Sequence, residues 1–123
     1  MRHLIDIDGL TREAIYALFD RAFEFKNNHN YPQYPKHVVS NLFYEDSTRT
    51  RLSFELAAKR LGLIVLNLDP KRSSETKGES MADMLQTVAA MGVQILVMRH
   101  PEDKIFEQIQ QHAPASLQLL NAG

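Results

Sequence analysis

The chain lacks cysteine, and neither sign of charge is in excess. Without cysteine, disulfides, thiolate metal sites and a cysteine nucleophile are excluded. The formal net charge is −1, so no global field would attract nucleic acid or an anionic membrane surface. Any basic site must therefore be local.

Long apolar runs are also missing, and the N-terminal MRHLIDIDGLTREA has no signal-peptide core. We therefore expect a cytoplasmic protein without membrane contact. The glycines are too dispersed for a P-loop or a GxGxxG turn, so nucleotide binding by those routes is not expected. The histidines show no i, i+4 pair, so we expect no metal site; they are His3, His29, His37, His100 and His112.

Apolar residues make up 44% of the sequence and charged residues 24%, as in an ordinary soluble domain. Helical and strand periodicities alternate along it. Helices are predicted at 12–27, from the STRTR segment to a C-terminal glycine at Gly62, through Met81, Leu85, Val88 and Ala89, and at about 102–112; strands are predicted at 37–45, 63–68, 93–98 and 117–120.

This order, one helix and then β-α-β-α-β-α-β, predicts one α/β domain over residues 1–123. Its parallel sheet would have about four strands and helices on both faces, the doubly wound, Rossmann-like arrangement. Ligands of such sheets bind outside the carboxyl ends of the strands. That rule selects residues 45–51, 69–78 and 99–101.

The first of these loops contains STRTR, Ser47 to Arg51, between a buried strand and a helix. Free N–H groups and the positive end of the helix dipole converge there. Ser47 could be an ordinary N-cap with solvated arginines beside it. Hydroxyls together with Arg49 and Arg51 at a strand end favour a phosphate site instead, because arginine matches two phosphate oxygens at once.

Taken alone, each of the other two loops is weaker evidence for a phosphate site. KRSSETKGE brings Ser73 and Lys77, but surface loops often have this composition. MRHP places Arg99 and His100 directly after a strand, with Pro101 at a predicted helix start. Together the three loops predict a small, doubly anionic ligand. No catalytic triad or carboxylate pair is evident, so we expect chemistry by positioning and electrostatic stabilisation, with Glu55 on a helix surface.

FYEDSTRTRLSFELAAKRLG resembles the carbamoyl-phosphate motif of the aspartate/ornithine carbamoyltransferase family. SSETKGES, followed by MAD, resembles the family's second phosphate loop, and MRHP and NAG follow in the expected order. The lysine of TKGE and the MRHP motif resemble the aspartate branch, with an ornithine-type enzyme as the alternative. The resemblance covers essentially the whole chain.

The resemblance implies a role for each matching residue. Ser47, Thr48, Arg49 and Thr50 would hold the phosphate of carbamoyl phosphate, with Arg49 as the main charge partner. Thr50 and Arg99 would polarise the carbamoyl oxygen. The catalytic residues would thus be Arg49, Thr50 and Arg99, with no cofactor and no metal.

Other matches imply an assembly. Ser73 and Lys77 match residues that enter the neighbouring subunit's site, which implies a homotrimer. Glu45 matches a carboxylate that contacts the second domain on closure, and Arg51 a structural ion-pair residue. Regulatory or dihydroorotase-type chains are further partners that the resemblance allows, in pyrimidine biosynthesis.

Members of the family continue beyond the position of Gly123 with a His-Pro-Thr-Gln motif and an aspartate-binding domain. We therefore expect this chain to be the amino-terminal half, binding carbamoyl phosphate but reaching L-aspartate only through the missing domain. Alone it is expected to be inactive. A non-catalytic anion-binding or oligomerisation module is the remaining alternative.

Overall fold

Helices and strands alternate after the first helix, as the apolar periodicity predicts. The structure is a computed structural model that describes residues 3–70, 81–102 and 104–123. The elements are α1 (Arg12–Asn28), β1 (Val38–Phe43), α2 (Thr48–Arg60), β2 (Ile64–Leu68), α3 (Met81–Ala90), β3 (Ile95–Arg99), α4 (Ile105–Ile109), a 3₁₀ turn (Gln110–His112) and β4 (Gln118–Asn121).

The strands form one parallel sheet of four in the order β2-β1-β3-β4, which confirms the predicted fold class. The chain leaves β1 for β2 on one side and then crosses to β3 on the other. The carboxyl ends of β1 and β3 therefore flank the point at which the strand order reverses. Open α/β sheets bind their ligands at such a point.

One face of the sheet carries the larger core. Leu42, Leu96 and Leu119, from three adjacent strands, are completely buried. They cluster with Leu85 of α3 and Phe106 of α4. Successive side chains of a strand point to opposite faces, and these three leucines share one face. The two helices pack against the sheet on that face.

The opposite face is covered by α2. Val39, Phe43 and Val97 cluster there with Ala58 of the helix. Because strand side chains alternate, the same strands supply both clusters. Helices therefore lie on both faces, as predicted.

The C-terminal end of α2 is held by backbone and side-chain bonds. The Gln33 Nε2 group donates to the Arg60 carbonyl at 2.8 Å, and the Tyr34 N–H donates to the Leu61 carbonyl at 2.8 Å. Gly62 follows with φ +72°, and a Cβ there would lie 2.5 Å from Gln33 Oε1. The predicted glycine C-terminus is confirmed, because the left-handed φ favours glycine and any side chain there would also have to displace the Gln33 side chain.

The first helix is capped but shallowly packed. Thr11 Oγ1 accepts the Ala14 N–H at 3.1 Å, as its sequence position predicts. No residue of α1 is buried, and Phe19 and Phe23 are 55% and 60% exposed. Within the described ranges, no helix has both the length and the apolar character needed to span a membrane.

The predicted bounds of one helix are wrong. The helix expected at 102–112 begins at Ile105, so Pro101 does not start it. Lys104 has φ 63°, a left-handed conformation that an α-helix cannot include. The last predicted turn, Gln110–His112, is 3₁₀.

The strand interiors were predicted and their ends were not. The segment expected at 37–45 is a strand only over Val38–Phe43, and the one expected at 93–98 runs over Ile95–Arg99. Val93 is buried but closes the turn after α3, its N–H donating to the Val88 carbonyl. An apolar run marks burial, whereas pairing with a neighbour sets the ends of a strand.

The core can be tested with Leu96→Ala. The substitution should lower the free energy of unfolding by about 2–5 kcal/mol, the range for deleting a fully buried leucine side chain. Urea unfolding followed by circular dichroism measures it. Ile64→Ala, on a residue that is 48% exposed, should cost clearly less. Equal losses would contradict the assignment of the core.

Candidate functional site

Three of the predicted site residues meet at the carboxyl ends of β1 and β3. The register pairs Phe43 with Arg99, which brings the loop after β1 beside the end of β3. Arg99 Nε donates to Glu45 Oε2 at 3.4 Å, and Arg99 Nη1 donates to Thr50 Oγ1 at 3.5 Å. We call this group of three side chains the strand-end cluster.

Neighbouring groups hold Arg99 in place. Its carbonyl accepts the Tyr44 N–H at 2.8 Å, and the Tyr44 and His100 rings meet edge to face at 4.7 Å. Gly123 packs against the guanidinium, since a Cβ there would lie 3.1 Å from Nη1. The Arg99 side chain is nevertheless 27% exposed, so a ligand can still reach it.

The N-terminus of α2 is not capped in the ordinary way. Ser47 occupies the N-cap position, yet its side chain makes no capping hydrogen bond. The first N–H groups of a helix have no partner within the helix, so these donors are available to a ligand. Ser47 therefore lies at the N-cap position, as the cap interpretation predicts, but it does not act as a cap. The missing capping bond leaves room for an anion.

The charges of the first turn oppose the helix dipole. That turn contains no acidic residue, while it contains Arg49 and Arg51. Cations at a helix N-terminus are unfavourable, and a bound anion would remove the conflict. Within the described residues, Arg49 is exposed and has no ion-pair partner.

A cavity of about 350 Å³ opens beside this turn, between the ends of β1 and β2. Among the described residues that line it, three carry a carboxylate, Glu45, Asp46 and Asp69, and one carries a cation, Arg51. The lining residues are Phe43, Glu45, Asp46, Ser47, Thr48, Arg51, Leu68, Asp69 and Pro70.

A polar chain fixes α2 to the sheet. The Asn41 side-chain amide donates to Asn67 Oδ1 at 3.2 Å, and Asn67 Nδ2 donates to Glu55 Oε1 at 3.1 Å. Lys59 Nζ lies 2.9 Å from the other oxygen of Glu55. Glu55 is therefore bonded to an edge strand as well as lying on the helix surface, which the sequence interpretation missed. The available signal was an asparagine in each of two apolar strands.

These bonds lower the pKa of Glu55 from its ordinary value of 4.5. The hydrogen bond from Lys59 has the largest effect, followed by the bond from Asn67 and the charges of Lys59 and Arg51. Arg51 was predicted to have a structural ion-pair role. In the structure, the charge of Arg51 helps to lower the pKa of Glu55. Its side chain also lines the cavity beside the first turn of α2.

Two predicted site residues, Ser73 and Lys77, lie outside the described residues. Among the residues that the structure describes, no group of three or more histidine, aspartate or glutamate side chains is placed to hold a metal ion. The described part of the predicted site therefore comprises the strand-end cluster and the first turn of α2.

Known proteins match the chain along its length. The family described as "Aspartate/ornithine carbamoyltransferase, carbamoyl-P binding domain" matches residues 2–123. The aspartate carbamoyltransferase catalytic subunit of Legionella pneumophila (strain Lens) is 46% identical over 123 residues, 100% of this chain and 41% of that protein. That of Streptococcus sanguinis (strain SK36) is 37% identical over 123 residues, 100% of this chain and 40% of that protein.

Solved structures agree with these matches. The catalytic subunit of M. jannaschii aspartate transcarbamoylase has a TM-score of 0.80 at 35% identity, covering 100% of this chain and 41% of that one. Trypanosoma cruzi aspartate transcarbamoylase in complex with carbamoyl phosphate has a TM-score of 0.84 at 32% identity, covering 99% of this chain and 38% of that one. The chain thus spans about two fifths of the length of the relatives it matches.

The polar chain beneath the site can be tested with Glu55→Gln. Because the pKa of Glu55 is lower folded than unfolded, its ionised form stabilises the fold above about pH 4.5. That stabilisation is lost as the pH falls through the folded-state pKa. The substitution should therefore destabilise the protein more at pH 7 than at about pH 3, in urea unfolding measured at both.

Glu24→Gln is the matched control, because Glu24 pairs with Arg21 on the exposed surface of α1. Such pairs contribute little to stability. A Glu55→Gln loss of equal size at both pH values would contradict the proposed ionisation.

Proposed function

The chain belongs to the aspartate/ornithine carbamoyltransferase family, and from that premise we propose that it is the carbamoyl-phosphate-binding part of an aspartate carbamoyltransferase. The complete enzyme would transfer the carbamoyl group to the amino group of L-aspartate in pyrimidine biosynthesis. The observation that carries the proposal is the strand-end cluster beside the uncapped N-terminus of α2. Aspartate is favoured over ornithine because the relatives described above are named for aspartate.

The phosphate of the substrate is proposed to rest on the first turn of α2. Its donors would be the free N–H groups of that turn and the hydroxyls of Ser47, Thr48 and Thr50. Arg49 would add two parallel bonds to phosphate oxygens. Arg49 is exposed and has no ion-pair partner in the part of the chain that the structure describes, which supports this role, since an anion would relieve its conflict with the helix dipole.

The carbamoyl oxygen is proposed to accept bonds from Thr50 and Arg99. These donors already lie together, with 3.5 Å between Arg99 Nη1 and Thr50 Oγ1. Negative charge grows on this oxygen as the amine attacks, so fixed donors stabilise the transition state more than the ground state.

Glu45 is proposed to orient Arg99 before substrate arrives. It accepts a bond from Nε, and a guanidinium has five N–H donors in a rigid fork, so the terminal nitrogens remain available to the ligand. The Glu45 side chain is 39% exposed. It therefore remains accessible for the contact with the second domain that the family resemblance implies.

The reaction requires no covalent enzyme intermediate. The aspartate nitrogen forms a bond to the carbamoyl carbon, the bond from that carbon to the phosphate oxygen breaks, and the departing phosphate accepts the proton from nitrogen. The products are N-carbamoyl-aspartate and phosphate. The chain's own groups bind, orient and stabilise charge, and no cofactor is needed.

A homotrimer with shared sites is part of the proposal. In it, Ser73 and Lys77 of one subunit would serve the site of the next. Regulatory or dihydroorotase-type chains would be additional partners. We also propose that the assembly is cytoplasmic, and a sequence free of cysteine suits that reducing compartment.

Arg49→Ala tests the phosphate site. It should abolish detectable binding of carbamoyl phosphate in calorimetric titration while leaving the circular dichroism spectrum unchanged. A charge-assisted bond contributes about 1.5–3 kcal/mol, roughly 10- to 150-fold in affinity. Arg12→Ala is the matched control, because Arg12 also lies in a first turn, but of the helix that Thr11 caps. If Arg49→Ala left the affinity for carbamoyl phosphate unchanged, the STRTR segment would be an ordinary helix N-terminus and not a phosphate site.

The division of the site between two domains gives a further test. The purified 123-residue chain should bind phosphate or carbamoyl phosphate weakly and form little or no carbamoyl-aspartate. A full-length catalytic subunit from a relative, assayed alongside, provides the positive control. Robust transfer by the 123-residue chain would contradict the assignment of the acceptor site to another domain.

A further inference from the structure

We propose that the chain has a second binding site, for a planar aromatic anion, between the C-terminal ends of α1 and α2. A cavity of about 340 Å³ lies there, within the size range of small-molecule sites. It shares no lining residue with the cavity beside the strand-end cluster. Its lining residues are Phe25, Lys26, His29, Tyr31, Ala57, Arg60 and Leu61; we call it the helix-end cavity.

An aromatic wall forms one side of the helix-end cavity. The Phe25 and Tyr31 rings lie 5.4 Å apart with an interplanar angle of 57°. The Tyr31 hydroxyl lies 3.0 Å from His29 Nδ1, and the Arg60 guanidinium carbon lies 5.8 Å from the centre of the Tyr31 ring. Three neighbours thus fix Tyr31. A preformed wall of this kind suits a flat apolar ring.

The charge at the rim has one sign. Lys26 and Arg60 line the cavity, no acidic residue does, and neither cation has a carboxylate partner among the described residues. Their neighbours on the same helices differ: Arg21 and Lys59 pair with carboxylates at 2.8 and 2.9 Å. Near the C-terminal ends of the two helices, the cations without a carboxylate partner among the described residues are therefore Lys26 and Arg60.

Basic residues near a helix C-terminus often donate hydrogen bonds to the last carbonyl groups, which lack partners within the helix. That role does not account well for Arg60. The Arg60 carbonyl already accepts from Gln33, and the Leu61 carbonyl from the Tyr34 N–H. The charge of Arg60 remains available to an external anion. A ligand with a ring against Tyr31 and an anionic group at the rim uses both features, which defines aromatic carboxylates, sulfonates and phosphates as the class.

Naphthalene-2-sulfonate is a suitable probe, titrated into the ¹⁵N-labelled chain and followed by amide chemical shifts. We expect saturable shifts confined to residues 25–31 and 57–61. Arg60→Gln and Lys26→Gln should each weaken binding roughly fivefold or more. Both side chains are exposed, so the rest of each variant's spectrum should stay as in the parent chain.

Three controls separate this site from other binding. Lys59→Gln removes a charge from the same helical turn outside the cavity and should leave the affinity unchanged. The neutral 2-naphthol should bind at least roughly fivefold more weakly, and excess inorganic phosphate should not displace the probe. Shifts mapping to Phe19 and Phe23 or to the strand ends would overturn the proposal. So would an affinity of both cavity variants equal to that of the parent chain. Equal binding of 2-naphthol would remove the anionic requirement and overturn it too.

Discussion

The register between β1 and β3 is the constraint on which the site depends. It pairs Phe43 with Arg99, so the last residue of β3 lies beside the loop that leads into α2. Leu42 and Leu96, buried on the other face of these strands, fix that register. A one-residue slip of β3 would turn Leu96 to the wrong face and take Arg99 with it. The core and the strand-end cluster thus depend on the same register.

The helix that supplies the proposed phosphate donors is held from its middle and its C-terminal end. Asn67 bonds to Glu55 in the second turn, and Gln33 bonds to the Arg60 carbonyl at the end. The first turn has arginines where the dipole disfavours them and a serine that does not cap. Such local conflicts are expected at functional sites, where stability is provided by the surrounding structure. Secure attachment elsewhere lets the N-terminus remain available to a ligand.

Sequence patterns predicted the elements and the fold class, because the spacing of apolar residues differs between buried helices and buried strands. They predicted the wrong start for α4, since the left-handed conformation of Lys104 has no residue signal of the kind that glycine gives. Arg99, Thr50 and Glu45 were expected in the site from their strand-end positions and from resemblance. The bond between Glu45 and Arg99, 54 residues apart, required the strand order, which single-sequence periodicity does not encode. The role of Glu55 was missed for the same reason.

The two ends of α2 show how backbone dipoles can separate two kinds of anion. At the N-terminus, unpaired N–H groups and the positive dipole end act with Arg49, so a small dianion can bind without apolar contacts. At the C-terminus the dipole opposes an anion and the last carbonyls are already bonded. Arg60 alone would then hold inorganic phosphate poorly. Binding there depends on the Phe25 and Tyr31 wall, which contributes apolar contact that phosphate cannot use. One helix can in this way present two cationic ends that select different ligands.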